Sequence, residues 1–149
     1  VKTIRKIELK WNRVSLVKDE EAVYETQVRN STDVMYIAKA LIENEVHEVV
    51  IAIHLNNKNK VVGYNEVSRG GIAGVSVTPA DVFRSAIIMG ATKIILAHNH
   101  PSGDPSPSEE DIKLTKRIKE AGEILRVHLL DHIIIGDKSY HSLADSGIL

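Results

Sequence analysis

Two histidines, His98 and His100, stand two residues apart where an apolar run gives way to the segment HNHPSGDPSP. On extended chain, residues at that spacing project to the same side, so both imidazoles can converge on one ion. Asp111 falls in the first turn of a helix expected to open at Ser108, and the loop rich in proline and glycine between them can fold its carboxylate back onto the histidines. Three N/O donors leave a fourth position open, the pattern of a catalytic rather than a structural zinc. A zinc ion in such a set lowers the pKa of water to about 7 and polarises a carbonyl. The chemistry then needs a carboxylate that receives a proton and returns it to a leaving amine. Glu66, near the end of a strand, is the candidate, although spacing alone leaves Glu48 and Glu45 equally placed. Ser108 sits three residues before Asp111, where its hydroxyl could donate to a developing oxyanion. The plainer reading of Ser108 and Asp111, a helix cap with an acid at the positive end of the dipole, is compatible with the first.

The elements that must position these residues are mixed. From Ser31, the residues Val34, Ile37, Ala38, Leu41 and Ile42 recur at helical spacing, with Ser31, Thr32 and Asp33 as candidate caps and an end near Asn44. EVVIAIHLN, the turn 56–59 and KVVGYNEVS read as a β-hairpin. Arg69-Gly70-Gly71 reads as flexible backbone, followed by a short strand at SVTP that runs into a helix with Thr78 as cap, Pro79 in its first turn and Gly90 at its close. Lys93 to Ala97 is a buried strand, a helix spans Ser108 to Gly122, and Val127 to Ile135 is a strand before a terminal hairpin at Gly136-Asp137. Hairpins rule out a purely parallel sheet, so the fold class is α/β with a mixed sheet and helices packed on it. Residues 1–30 are less patterned and read as an N-terminal extension or edge strands, with the domain proper at 31–149.

Composition narrows the function. The 149 residues are 43% hydrophobic and 26% charged, as in one globular domain, and a net charge of -1 gives no global bias toward nucleic acid or anionic membrane. Cysteine is absent, which removes disulfides, thiolate nucleophiles and the sulfur ligands of zinc deaminases. No apolar run is long enough to span a membrane, and the opening VKTIRKIELKW lacks a signal-peptide core, so a soluble cytoplasmic protein is expected. His47-Glu48 begins a zincin-like string, but Ile51 stands where the second histidine is required. Asn30-Ser31-Thr32 spells a glycosylation acceptor and is better read as a helix entrance. His47, His54, His128 and His141 read as surface or satisfied core histidines, and His132 beside Asp131 as a strand residue with a hydrogen-bonding partner rather than a further ligand.

The segments NEVSRGG, HNHPSGDPSPSEEDI and LLDHIIIG together resemble the RadC-type branch of the JAB/JAMM (MPN) metalloprotease superfamily. The signature of that superfamily, a Glu, then His-x-His, seven residues, Ser, two residues and Asp, is met by Glu66, His98, His100, Ser108 and Asp111. The resemblance covers roughly Ser31 to Leu149 and selects Glu66 over its two competitors. It implies an MPN, cytidine-deaminase-like fold, a zinc ion (Zn2+) held by His98, His100 and Asp111, and hydrolysis of peptide or isopeptide bonds in a peptide or protein substrate. It also implies a link, by name, to DNA repair, although no helix-hairpin-helix segment of the longer members is expected in this chain. A second reading is therefore a nucleic-acid-binding module or metal-dependent nuclease, using Lys113, Lys116, Arg117 and Lys119 on the third helix. The plainer account of those four is a solvated face. Two histidines and an aspartate would also suit iron(II).

Overall fold

The computed structural model describes residues 26–70 and 77–149. The elements are α1 (Ser31–Ile42), β1 (Val49–Leu55), β2 (Val61–Arg69), α2 (Pro79–Ile88), β3 (Lys93–Asn99), α3 (Glu109–Leu125), β4 (His128–Ile135) and β5 (Tyr140–Ser142). The five strands form one sheet in the order β2-β1-β3-β4-β5. β1 is antiparallel to both β2 and β3, β3 is parallel to β4, and β4 is antiparallel to β5. The one parallel pair is the one joined through a helix, α3, because a parallel return needs a crossover that no tight turn can make. This is the mixed α/β sheet that the hairpins predicted.

Helices cover both faces, and the central strands are accordingly apolar throughout rather than alternating: all seven residues of β1 are buried. Alternation survives in which face each residue serves. Ile51, Ile53, Ile95 and Ala97 pack with the α1 residues Val34, Ile37 and Ala38. Ala52, Ile94 and Leu96 pack on the other face with Phe83 of α2 and with Leu114 and Ile118 of α3. Even-numbered residues of β3 therefore point toward α3, and His98 continues that series.

Local chemistry set most boundaries as read. Thr78 caps α2 in a reciprocal capping box with Asp81, and Pro79 occupies the first turn. Three expectations need correction. The cap of α1 is Asn30, whose side chain accepts from the Asp33 N–H, while the Ser31 and Thr32 hydroxyls bond to the Tyr140 hydroxyl. Helix α3 runs past Gly122 to Leu125 and ends at Arg126 in the left-handed conformation. Gly122 is a packing glycine, since a Cβ there would lie 2.6 Å from the Val127 carbonyl oxygen. Val77 and Thr78 are not in a strand, and the rest of the SVTP expectation, like most of the N-terminal extension, lies outside the described residues. Gln27 forms an isolated bridge to Lys60 beside the β1–β2 turn.

The loop after β3 is anchored at its far side. The His100 N–H donates to the Ile135 carbonyl at 2.8 Å and the Asp137 N–H to the Gly103 carbonyl at 3.1 Å. Gly136 makes this docking possible, because a Cβ there would strike the Gly103 carbonyl oxygen and the Pro105 ring. Among the described residues no helix is long and apolar enough to cross a membrane.

Candidate metal centre

His98 ends the buried run of β3, His100 follows it, and α3 returns Asp111 to the same point. The return is fixed by a capping box. Ser108 Oγ accepts from the Asp111 N–H at 3.1 Å, and Asp111 Oδ2 accepts from the Ser108 N–H and Oγ–H, both at 2.7 Å. His98 Nε2 lies 2.9 Å from His100 Nε2 and 3.3 Å from Asp111 Oδ1, and His100 Nε2 lies 3.6 Å from Asp111 Oδ2. The structure thus brings together the three residues that the sequence marked as ligand candidates.

The orientation of the rings matters more than their proximity. His100 Nδ1 is 2.7 Å from the Asp104 carbonyl oxygen, which can only accept, so the hydrogen sits on Nδ1 and the neutral ring presents a lone pair at Nε2. His98 Nδ1 is engaged by His132 Nε2 at 2.8 Å, which leaves Nε2 as its inward nitrogen. Two nitrogen lone pairs and a carboxylate therefore face one another, an arrangement that repels unless a proton or a metal cation sits among them. Donors around a tetrahedral ion with bonds of ~2.0–2.1 Å are separated by ~3.3 Å, so the observed spacings fit such an ion.

Electrostatics report the same demand. Asp111 is held well below the usual carboxylate range: burial pushes its pKa up, but the His100 hydrogen bond, the His98 charge and the Ser108 bonds outweigh it. His100 is raised, chiefly by its bond to Asp111, against the opposing effect of burial. His98 is lowered by burial first and by neighbouring His132 second.

The expected base is not at this cluster. The acid that joins it is Glu48: one ligand atom from each of Glu48, His98, His100 and Asp111 lies within 4.8 Å of the others. Cross-strand register explains both placements. Val50 pairs with His98, and continuing that antiparallel register two residues sets Glu48 opposite His100. In β2 an irregularity between Val50 and Ile51 places Glu66 opposite Ile51, a residue of the α1 face. Glu66 is thereby turned away from His98 and bonds Arg69, whose guanidinium also holds Glu45 at 2.7 Å.

Three more residues shape the site. Asn99, between the histidines and pointing to the opposite face, accepts from the Val49 N–H at 2.8 Å and donates to the Glu45 and His47 carbonyls. It clamps the backbone on both sides of Glu48, whose own carbonyl accepts from the Gly70 N–H at 2.8 Å. The period-two position of Asn99 was the only signal of this in the sequence. His132 and Thr115, both fully buried, stand behind His98. His132 does have hydrogen-bonding partners and is not among the metal-facing group, as its sequence context suggested. On α3, Lys113 pairs with Glu109 at 3.8 Å and Arg117 donates to the Val77 carbonyl at 2.7 Å, holding the entrance of α2.

A family model described as a RadC-like JAB domain matches residues 28–148 of this chain. The chain is similar to a UPF0758 protein of Carboxydothermus hydrogenoformans, at 47% identity over 114 residues that cover 76% of this chain and 50% of the relative. It is similar to a UPF0758 protein of Flavobacterium johnsoniae, at 45% identity over 122 residues covering 82% of this chain and 53% of the relative. It is 49% identical over 102 residues to a UPF0758 protein of Clostridium botulinum, covering 68% of this chain and 44% of the relative. The chain spans about half the length of the curated relatives that it matches.

Proposed function

The chain belongs to the RadC-like JAB domain family, and from that premise we propose that it hydrolyses amide bonds, in a peptide or isopeptide substrate, with the help of a zinc ion. The observation that carries the reading is the convergence of the His98 and His100 Nε2 lone pairs and the Asp111 carboxylate, with Glu48 alongside. Two imidazoles and one carboxylate are a donor set suited to a catalytic zinc, and we assign Glu48, the fourth group of the cluster, to proton transfer rather than to the ion. When bound there, such an ion acidifies a water molecule and polarises a carbonyl.

The residues supply the rest. His98, His100 and Asp111 would hold the ion, and the Asp104 carbonyl keeps the His100 hydrogen on Nδ1 so that Nε2 stays available. Glu48 takes the proton of the attacking water on a carboxylate oxygen and returns it to the departing amine nitrogen, the role the sequence had given to Glu66. Ser108 Oγ–H is the candidate donor to the tetrahedral oxygen, for which it must leave Asp111 Oδ2. A groove of about 500 Å³ opens beside His100, lined by Val46, Pro101 and Ile135 together with Glu43, Glu45 and Asp137.

The test is metal quantification in protein purified without added metal, then a screen on peptide, isopeptide and DNA substrates. Amide cleavage that is lost on chelation and restored by zinc supports the reading. Cleavage of phosphodiesters in place of amides, or amide cleavage indifferent to chelator, overturns it.

A further inference from the structure

Behind His98 lies a chain of hydrogen bonds whose direction can be deduced from the hydrogens available. Thr115 Oγ1 is 2.6 Å from the Asp111 carbonyl oxygen and 2.6 Å from His132 Nδ1. A hydroxyl has one hydrogen and a carbonyl can only accept, so that hydrogen goes to Asp111. Thr115 must then accept from His132, which places the His132 hydrogen on Nδ1. The ring of His132 is fully buried, and among the described residues its two nitrogens meet only Thr115 and His98. Full burial, with no carboxylate within hydrogen-bonding distance of either ring nitrogen, favours the neutral ring. Its Nε2 is therefore an acceptor, and the partner 2.8 Å away, His98 Nδ1, must be the donor.

We propose that Thr115 and His132 form a positioning relay that fixes the hydrogen of His98 on Nδ1 and so presents Nε2 of that ring to a metal. The relay starts on the main chain of Asp111, one turn before Thr115 on α3, so the helix that delivers the carboxylate ligand also sets the tautomer of the most buried imidazole. Asp131 serves a different purpose. Its carboxylate accepts from the His132 N–H and from Ser142, tying β4 to β5 without touching the imidazole. Without the Thr115 acceptor, the His132 hydrogen is free to move to Nε2. That would oblige His98 to accept on Nδ1 and carry its own hydrogen on the nitrogen facing Asp111.

The inference rests on the metal reading above only for its consequence, not for the tautomer itself, and the experiment separates the two. In metal-free protein labelled with 15N, long-range 1H–15N correlations read the tautomer of each ring, and zinc affinity is measured by competition with a chromophoric chelator. The wild type should show His98 protonated on Nδ1 and His132 protonated on Nδ1. Thr115→Val, which keeps the shape and deletes the hydroxyl, should lose the unique His98 tautomer and weaken zinc binding roughly 10–100-fold, as removal of an outer-shell partner does. Thr115→Ser restores the hydroxyl and should recover both, which a purely structural role for the threonine methyl would not predict. His98 protonated on Nε2 in the wild type overturns the relay whatever the variants do. So does Thr115→Val with unchanged tautomers and zinc affinity. Wild-type protein with the stated tautomers that takes up no zinc would leave the relay standing and remove the metal reading instead.

Discussion

Two groups of acidic side chains lie on opposite faces of the same sheet. On the α3 side, Glu48 and Asp111 meet two histidines, with Asp111 and His98 almost wholly buried. On the α1 side, Glu45 and Glu66 meet Arg69, and all three are open to solvent. Arg69 supplies both carboxylates with fixed N–H donors, raising its own pKa and lowering that of Glu45, so that group is electrostatically complete. In the histidine group, by contrast, the imidazole nitrogens and the Asp111 carboxylate face one another. Proximity in sequence thus does not bring a carboxylate to the histidines; the sheet face decides whether it ends in an ion pair with Arg69 or beside the imidazoles.

The comparison fails most visibly if Asp111 is dispensable. Asp111→Ala should abolish zinc uptake, weakening affinity by more than the roughly 100-fold that follows loss of an outer-shell partner, as read by elemental analysis and chelator competition. Exchanging the two acids is the next sharpest test. Glu48→Gln should retain zinc while turnover falls by about 10²–10⁴-fold, whereas Glu66→Gln should leave turnover near that of the wild type. The opposite ranking would return the proton-transfer role to Glu66.

Acidity should separate the two groups as well. His100 must give up a proton to bind metal, and its pKa lies above the ordinary value, so zinc affinity should fall about tenfold per pH unit below that pKa. In metal-free protein the sign reverses. The stability that the raised pKa confers is fully present below the unfolded value of 6.5 and is lost as pH rises through the folded pKa. His54, His98 and His132, whose pKa values burial lowers, act in the opposite sense, so the His100 contribution is read as the difference between metal-free wild type and His100→Gln in denaturation across pH 5–9. Asn99→Ala, which releases the clamp around Glu48 and leaves a buried Val49 N–H unpaired, should cost about 1–3 kcal/mol in chemical denaturation. The smallest effect belongs to the solvent-exposed side: Arg69→Gln should lower Tm by no more than about 5 °C and leave zinc affinity unchanged.

Much of this was legible along the chain because it depends on neighbours in sequence. The turn at 56–59, the Thr78 and Ser108 caps and the helical spacing of α1 are all local, and each fell where the residues placed it. The meeting of His98, His100 and Asp111 was legible too, since two of them share a strand end and the third sits in the next helix's first turn. Local competition caused the smaller misses. Asn30 outcompeted Ser31 and Thr32 as a cap because Tyr140, distant in sequence, occupies their hydroxyls. Gly122 reads as a helix stop, yet it is a contact with Val127.

The sequence by itself determined the α/β class, the convergence of His98, His100 and Asp111 and the lack of cysteine, because composition, periodicity and capping act within a few residues. Only the tertiary structure decided which glutamate joins the trio, what clamps it and which nitrogen of His98 faces inward. Those choices depend on strand register and on side chains brought together from β3, α3 and β4. A single irregularity in the β1–β2 pairing is enough to send Glu66 to the opposite face.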